Sequence, residues 1–293
     1  MRSPTPLVST LKSLLLGLAV LCTGSAALAQ DAAALKARHA AMTSQLANNP
    51  FQRPLVLDSV EVSGELKGEV YAVVEHPFAG VAESLRGAGQ WCDVLILHLN
   101  VKHCRASSAT PPVLSVSLGR KFDQPLEEAY KADFIYKVGA ADPDYLNVQM
   151  SAASGPLGTR NYRIGLEAVP LDAQRSFIHM SYSYGYGVAA KLALSAYLAT
   201  IGSDKVGFST TGRAADGKPA YVGGVRGVVE RNTMRYFLAI ESYLGAPAPA
   251  QVDKRLAAWF DATERHAQQL REMERAEYLG MKQREVRRQS GPG

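Results

Sequence analysis

The sequence lacks the short motifs from which an activity is usually inferred. It contains no GxSxG nucleophile elbow, Walker loop, HExxH pattern or EF-hand loop, and no internal repeat. The formal net charge is only +5 over 293 residues, and no basic cluster interleaved with aromatic residues precedes the C-terminal segment. We therefore expect no nucleic-acid partner. With 47% apolar and 20% charged residues, the composition is that of a globular protein with a substantial core.

Cysteine is also scarce, with three in the chain, and two of them lie close together in sequence. In an oxidising compartment Cys92 and Cys104 predict one disulfide, provided that a helix, a turn near Asn100 and a returning strand bring them together. The alternatives are two buried free thiols or a metal site with His98 and His103, but the spacing matches no zinc pattern. We expect the disulfide, and neither a metal nor a cofactor.

The N-terminus has the three parts of a secretory signal peptide. Arg2 and Lys12 supply positive charge, the run 14–21 is apolar, and 27–29 (Ala-Leu-Ala) forms a small-x-small cleavage site. The apolar run is too short to cross a bilayer core of ~30 Å. We predict that residues 1–29 are removed and that the protein is secreted across the inner membrane into the periplasm.

From residue 55 onward, apolar and polar residues alternate with the period of a β-strand. Residues such as Asp142-Pro143-Asp144 separate the alternating runs as turns. Each run has one apolar and one polar face, which predicts an antiparallel sheet with one buried and one wet face. The runs are 56–62, 69–75, 114–118, 134–138, 145–150, 161–168 and 178–186. Residues 91–99 fit either a helix or a strand.

Helices are predicted at both ends of this sheet region. Residues 31–49 are alanine-rich and predict a short helix or a loose leader. The segment 188–201 is apolar on nearly every side, so we expect it to be buried or to lie against a membrane surface. A strand is expected near 205–211, followed by a long helix over 225–244.

Charged residues mark the long helix and the segment that follows it. Arg226 and Glu230 have the i,i+4 spacing of a surface ion pair. Residues 251–289 are highly charged with a thin apolar stripe. Such a stripe indicates a helix that lies on the protein body or binds a protein partner.

The order of elements resembles the START-like (Bet v 1-like, helix-grip) superfamily over about residues 55–244. The best local points are the strand 70–74 running into His76-Pro77-Phe78 and a short helix, and the long helix 226–244. The resemblance implies an α+β fold in which a curved antiparallel sheet grips a long C-terminal helix. It also implies a cavity for a lipid or another apolar molecule. The helix at 188–201 and the charged tail depart from the superfamily pattern.

We therefore divide the chain into four parts. These are a signal peptide (1–29), a leader helix (30–54), the START-like domain (55–245) and a charged helical extension (246–293).

The candidate ligand-binding residues lie on the last long strand, on the long helix and at a predicted cavity mouth. As an alternative to ligand binding, Tyr182, Tyr184 and Tyr186 simply form an aromatic part of the core. His76 is alternatively a loop residue whose ring is hydrogen-bonded to the backbone. Arg231 and Arg235 are spaced i,i+4 on the long helix, so their charges repel each other. A bound anion would relieve this repulsion, and so would a sheet carboxylate such as Glu167. His98 and Asn100 read as structural polar groups. The candidates are His76, Tyr182, Tyr184, Tyr186, Arg231, Asn232, Arg235 and Tyr236.

Three functions are consistent with this sequence. The first is a periplasmic binding protein for a lipid or other apolar ligand, with membrane contact through 188–201. The second is a hydrolase or cyclase of the same fold that uses His76 or His179. The third is a cell-envelope interaction module that docks a partner through 251–289.

Overall fold

The computed structural model describes residues 23–199 and 205–291. The fold is α+β, with a curved eight-stranded antiparallel sheet in the order β1-β2-β8-β7-β6-β5-β4-β3. The strands are β1 Leu55–Val62, β2 Glu65–Val74, β3 Val101–Ala106, β4 Val113–Leu118, β5 Tyr130–Asp142, β6 Tyr145–Ser154, β7 Arg160–Pro170 and β8 Ser176–Gly185.

Helices precede, interrupt and follow the sheet. They are α1 Thr23–Ala41, α2 Thr43–Ala47, α3 Phe78–Leu85, α4 Ala88–Leu95, α5 Val188–Ala199, α6 Gly224–Leu244, α7 Val252–Glu264, α8 Ala267–Leu270 and α9 Arg275–Ser290. A small hairpin of β9 Thr210–Arg213 and β10 Pro219–Tyr221 lies between α5 and α6.

The long helix α6 lies on the concave face of the sheet, mainly over β1, β2 and β8. Gly68 of β2 allows this close approach, because a Cβ there would lie 2.1 Å from Thr233 Oγ1 of α6. The hydroxyl of Thr233 is itself held by a hydrogen bond to the Val229 carbonyl at 2.7 Å. The expected fold, a curved sheet gripping a long helix, is thus confirmed.

The ambiguous segment 91–99 starts as a helix and ends in a turn. Helix α4 carries Trp91, whose indole donates to the Leu85 carbonyl at 2.7 Å. It also carries Cys92, which forms the predicted disulfide with Cys104 of β3, with the two Cα atoms 5.2 Å apart. The disulfide ties α4 to β3 at one edge of the sheet.

The outer face of the sheet is partly covered by α1 and α2. This corrects the prediction that the whole of that face is exposed to solvent. Leu35 of α1 and Leu46 of α2 are buried in a second apolar cluster with Tyr71, Val169 and Phe177 of the sheet. These three residues occupy positions that the alternation assigns to the polar face. Helix α1 continues across the position at which we predict cleavage, and the apolar run 14–21 lies outside the described residues.

Two predictions near the start of α6 also need correction. Glu230 is fully buried rather than on the surface, although it does approach Arg226 at 4.0 Å. Its carboxylate accepts the backbone N–H groups of Phe208 and Ser209 at 2.6 and 2.9 Å. Since these two N–H groups donate to Glu230, they are not available to pair with a neighbouring strand. The strand expected at 205–211 therefore begins only at Thr210.

The C-terminal extension folds back onto the body. Leu256, Trp259 and Phe260 of α7 and Tyr278 and Met281 of α9 belong to the main core. Helix α9 packs against β3, and the Tyr278 hydroxyl donates to the Leu97 carbonyl at 2.9 Å. The thin apolar stripe seen in the sequence therefore contacts the protein's own core.

The α6 crossing generates a stability prediction. We expect Gly68→Ala to lower the free energy of unfolding by roughly 1–3 kcal/mol, because the new methyl group overpacks the contact with Thr233. Adding Thr233→Ala should restore part of the loss. Urea unfolding measures both variants.

Gly80→Ala is the matched control, because nothing lies within 4 Å of a Cβ at that helical position. It should be neutral or stabilising by up to about 1 kcal/mol. Equal destabilisation by the two alanines would contradict the proposed close approach.

Candidate functional site

A cavity of about 430 Å³ lies between the sheet, α6 and the α4–β3 connection. Apolar and aromatic side chains supply most of its wall, with a few polar groups among them. The lining residues are Leu95, His98, Asn100, Val101, Val116, Leu118, Gly119, Arg120, Gln124, Glu128, Tyr130, Phe134, Pro156, Leu157, Tyr162, Ile164, Tyr182, Asn232 and Tyr236.

Aromatic rings form a continuous wall across the cavity. Tyr182 of β8 lies between Tyr162 of β7, at 6.3 Å between ring centroids, and Tyr236 of α6, at 5.3 Å. Phe134 of β5 meets Tyr162 edge-on at 6.1 Å. Such rings offer a large apolar surface together with polar tips.

Burial keeps the cavity phenols protonated. It raises the pKa of Tyr182 well above its ordinary value, and nearby tyrosines add to the effect. Burial likewise raises the pKa of Tyr236. Within the described part of the chain, neither hydroxyl has a hydrogen-bond partner. Both are therefore neutral donors that face an apolar space.

His98 is a buried polar side chain of the wall, with only 2% of its surface exposed. Its ring stacks on Tyr236 with centroids 4.6 Å apart. Burial lowers the pKa of His98 well below the ordinary value, and the charges of Arg235 and Lys282 lower it further. The imidazole is thus neutral and carries one proton.

Three predicted ligand-binding residues line this cavity, namely Tyr182, Asn232 and Tyr236. Tyr184 and Tyr186 lie on the same sheet face but outside the lining. Tyr184 stacks on Tyr162 with centroids 5.2 Å apart, while the Tyr186 hydroxyl donates to Glu61.

The two arginines of α6 lie outside the cavity and contact other parts of the chain. Arg235 donates to the Glu272 carboxylate at 2.6 Å and to the Leu270 carbonyl at 3.1 Å. Arg231 donates to the Val206 carbonyl at 3.2 Å. A carboxylate does pair with Arg235, but it comes from the C-terminal extension and not from Glu167 of the sheet.

His76 also lies outside the cavity lining. Its side chain is half-buried, and its carbonyl accepts the Ser176 hydroxyl at 2.8 Å. The loop therefore ties the end of β2 to the start of β8.

His98 and Asn100 are the residues that the sequence reading undervalued. Both line the cavity, and His98 Nε2 has no partner among the described residues. The Asn100 side chain does act structurally, since its amide donates to the Gly119 carbonyl at 2.6 Å. The signal available in the sequence was a histidine within the apolar run 91–99.

Comparisons with known proteins were made for the sequence and for the structure. No family model matches the chain, and no curated protein matches its sequence. Solved structures that it resembles include human StAR-related lipid transfer protein 5, at 11% identity and a TM-score of 0.32, covering 60% of this chain and 90% of that one.

Two further similarities come from proteins of other kinds. Ara h 8.0201 gives 14% identity and a TM-score of 0.35, over 62% of this chain and 98% of that one. Norcoclaurine synthase from Thalictrum flavum gives 14% identity and a TM-score of 0.30, over 51% and 77%. Identities and TM-scores this low do not indicate a function. Any functional proposal must therefore rest on the geometry of the cavity.

A second polar cluster lies on the outer face of the sheet, around His179. Its Nδ1 meets Glu167 at 2.8 Å and its Nε2 meets Glu69 at 2.9 Å. Tyr71 stacks on the ring at 4.3 Å, and Tyr145 donates to Glu167 at 2.5 Å. With both nitrogens held, His179 is placed to join three strands rather than to act as a base.

The two glutamates set the charge of this histidine. Burial lowers the pKa of His179, but hydrogen bonds and charges from Glu167 and Glu69 outweigh it and raise the pKa. Burial also raises the pKa of Glu69, yet His179 and Lys67 together lower it to about 2. The two carboxylates therefore favour the protonated form of His179.

This arrangement predicts a pH-dependent contribution to stability. A histidine with a raised pKa stabilises the fold fully below its unfolded pKa of about 6.5, and that contribution is lost as pH rises through the folded pKa. The contribution of Glu69 is lost as pH falls from about 4.5 towards its folded pKa of about 2. The stability advantage of the natural protein over His179→Gln should therefore be largest between these limits.

Urea unfolding of both proteins at pH 5.5, 7 and 8.5 measures this advantage. An advantage that grows with pH over this range would contradict an ion-paired His179.

Proposed function

We propose that this protein binds a lipid or another apolar small molecule in the cavity between the sheet and α6. The observation that carries the proposal is the cavity wall, which is mostly apolar and aromatic with a few inward polar groups. Ligand sites in proteins have this composition. The volume of about 430 Å³ lies in the lower part of the usual range, roughly 300–1,000 Å³. One acyl chain or one small ring system is the size of ligand expected.

The cavity generates a direct binding prediction. Val116 of β4 lines the space and is buried, so Val116→Phe should fill part of it. We expect the affinity for N-phenyl-1-naphthylamine, an uncharged apolar dye, to fall at least about tenfold. Because the ring enters empty space, the free energy of unfolding should fall by no more than about 3 kcal/mol. Fluorescence titration and urea unfolding measure the two quantities.

Val138→Phe is the matched control, because Val138 of β5 is 42% exposed and lies outside the cavity lining. Dye affinity there should stay within about twofold. Undiminished binding by Val116→Phe would place the dye elsewhere and remove the support for the cavity.

We further propose that the protein works in the periplasm. The predicted signal peptide supports this, and so does the Cys92–Cys104 disulfide, because such bonds persist in oxidising compartments.

An apolar patch beside the cavity supports contact with a membrane surface. Helix α5 packs against the short turn Pro156–Gly158, whose Leu157 lines the cavity and is 69% exposed. Leu157 has a left-handed backbone with φ of 59°, a costly conformation for leucine. Val188 and Leu192 of α5 are 78% and 66% exposed. We call Leu157, Val188 and Leu192 the rim patch.

Charge around the rim patch favours an anionic lipid surface as the occupant. Lys191 is exposed on α5, Arg160 follows the Leu157 turn, and no acidic residue lies in α5 or in 154–160. Among the helices of the described residues, none is long and apolar enough to cross a membrane. Contact at the surface would place the cavity rim where an apolar ligand can enter from the bilayer.

The rim patch predicts vesicle binding. Leu157→Ser together with Leu192→Ser should weaken binding to vesicles rich in phosphatidylglycerol by at least about tenfold, because exposed leucines would no longer insert. Co-sedimentation with vesicles measures the effect.

Val62→Ser is the control, since Val62 is 60% exposed on β1, outside the rim patch. Equal loss in the control and in the double variant would argue against a defined patch.

The two other functions have less support from the geometry. For an enzyme, His76 and His179 both lie outside the cavity lining. For an interaction module, the apolar side of residues 251–289 is buried against the protein's own core. A partner would have to bind the remaining charged face.

A further inference from the structure

The cavity wall holds an unsatisfied hydrogen-bond donor at His98. The Asn100 backbone N–H donates to Nδ1 at 3.1 Å, so Nδ1 is the unprotonated nitrogen. The single proton of the neutral ring is therefore on Nε2. That nitrogen is buried and has no acceptor among the described residues. A buried donor without an acceptor costs free energy, which a bound acceptor would recover.

Two further donors belong to the same cavity wall. The Tyr236 ring stacks directly on His98, and Tyr182 lies next to Tyr236 with centroids 5.3 Å apart. Both hydroxyls lack a partner within the described part of the chain. His98, Tyr236 and Tyr182 thus form a cluster of donors in an otherwise apolar wall. We call these three residues the donor cluster.

Positive charge lies behind the donor cluster. Lys102 and Lys282 share the single carboxylate of Glu285, with distances of 3.1 and 2.5 Å, and all three side chains are buried. Lys282 also donates to the His98 carbonyl at 3.1 Å. Two cations with one anion leave positive charge next to the cavity. Among the described lining residues the one carboxylate is Glu128, which pairs with Arg120 at 3.7 Å.

We propose that the cavity selects an apolar ligand that ends in an acceptor oxygen, and that the donor cluster binds this oxygen. A carboxylate end suits the site best, because it accepts from neutral donors and balances the buried positive charge. A ketone or ester oxygen accepts from the same donors but does not balance the buried positive charge. This inference rests on the proposed function, since it assigns the orientation of a ligand within the same cavity.

The test compares three molecules with one chain and different ends: dodecanoic acid, 2-dodecanone and dodecane. Each displaces N-phenyl-1-naphthylamine, so one titration gives its Kd. We expect His98→Phe and Tyr236→Phe each to raise the Kd of dodecanoic acid about tenfold, the effect of one lost hydrogen bond. The Kd of dodecane should change less than about twofold. A loss for the acid alone assigns a carboxylate ligand, and an equal loss for the ketone assigns any acceptor oxygen.

Tyr184→Phe is the matched control. Tyr184 lies on the same strand as Tyr182 and is buried, but it does not line the cavity. It should leave all three Kd values unchanged.

The outcomes separate the inference from the proposed function. If dodecane binds and the two variants weaken all three molecules equally, the donor cluster has no role in selection and the inference is wrong. If none of the three binds to the natural protein, both the inference and the proposed function are wrong.

A second measurement needs no variant. In protein labelled with ¹⁵N-histidine, dodecanoic acid should move the Nε2–H resonance of His98 downfield, whereas dodecane should not. An unmoved resonance with the acid bound would overturn the inference even if His98→Phe does not fold.

Discussion

The structure depends on one constraint, the close crossing of α6 over β2. Gly68 has no side chain at the point where Thr233 packs against β2. Helix α6 can therefore lie closely over the β1–β2–β8 part of the concave face. Helix α6 does not extend over the other part, where the shorter helices α3 and α4 meet β7 and β4. Side chains from both walls do not fill that space, and the cavity is the result. The close crossing at Gly68 thereby helps to set the position of the cavity.

Buried polar contacts hold α6 in this position. Glu230 binds the Ser59 hydroxyl of β1 at 2.5 Å and two backbone N–H groups before β9. Near the other end of the helix, Arg53 pairs with Glu241. Arg235 reaches Glu272 in the C-terminal extension. Because Glu230 and Arg235 are buried, removing their partners would leave each of them unsatisfied. The extension is thus part of the frame that holds the cavity.

The sequence predicted the fold better than the site, and the reason is the range of the interactions. Alternation with period two depends on neighbours in the chain, so it identified the strands and the inward face that carries Tyr182. It could not separate Tyr182 from Tyr184, because distance from α6 depends on how the whole sheet curves. The carboxylate that pairs with Arg235 lies 37 residues away, at Glu272. Alternation already assigned Glu167 to the outer face, where it binds His179.

The unpaired nitrogen of His98 likewise could not be predicted from its neighbours in the sequence. Its neighbours in sequence are apolar, which suggested a structural polar group, and its Nδ1 does have such a role. The unpaired Nε2 is visible only when β8, α6 and the α4–β3 connection are placed together. We propose that these elements enclose a site for an apolar ligand. Native mass spectrometry with organic extraction, on mature protein purified without added lipid, tests it most directly. We expect one apolar molecule per chain, either co-purified or taken up when offered. A protein that is ligand-free and takes up neither lipid nor apolar dye would contradict it.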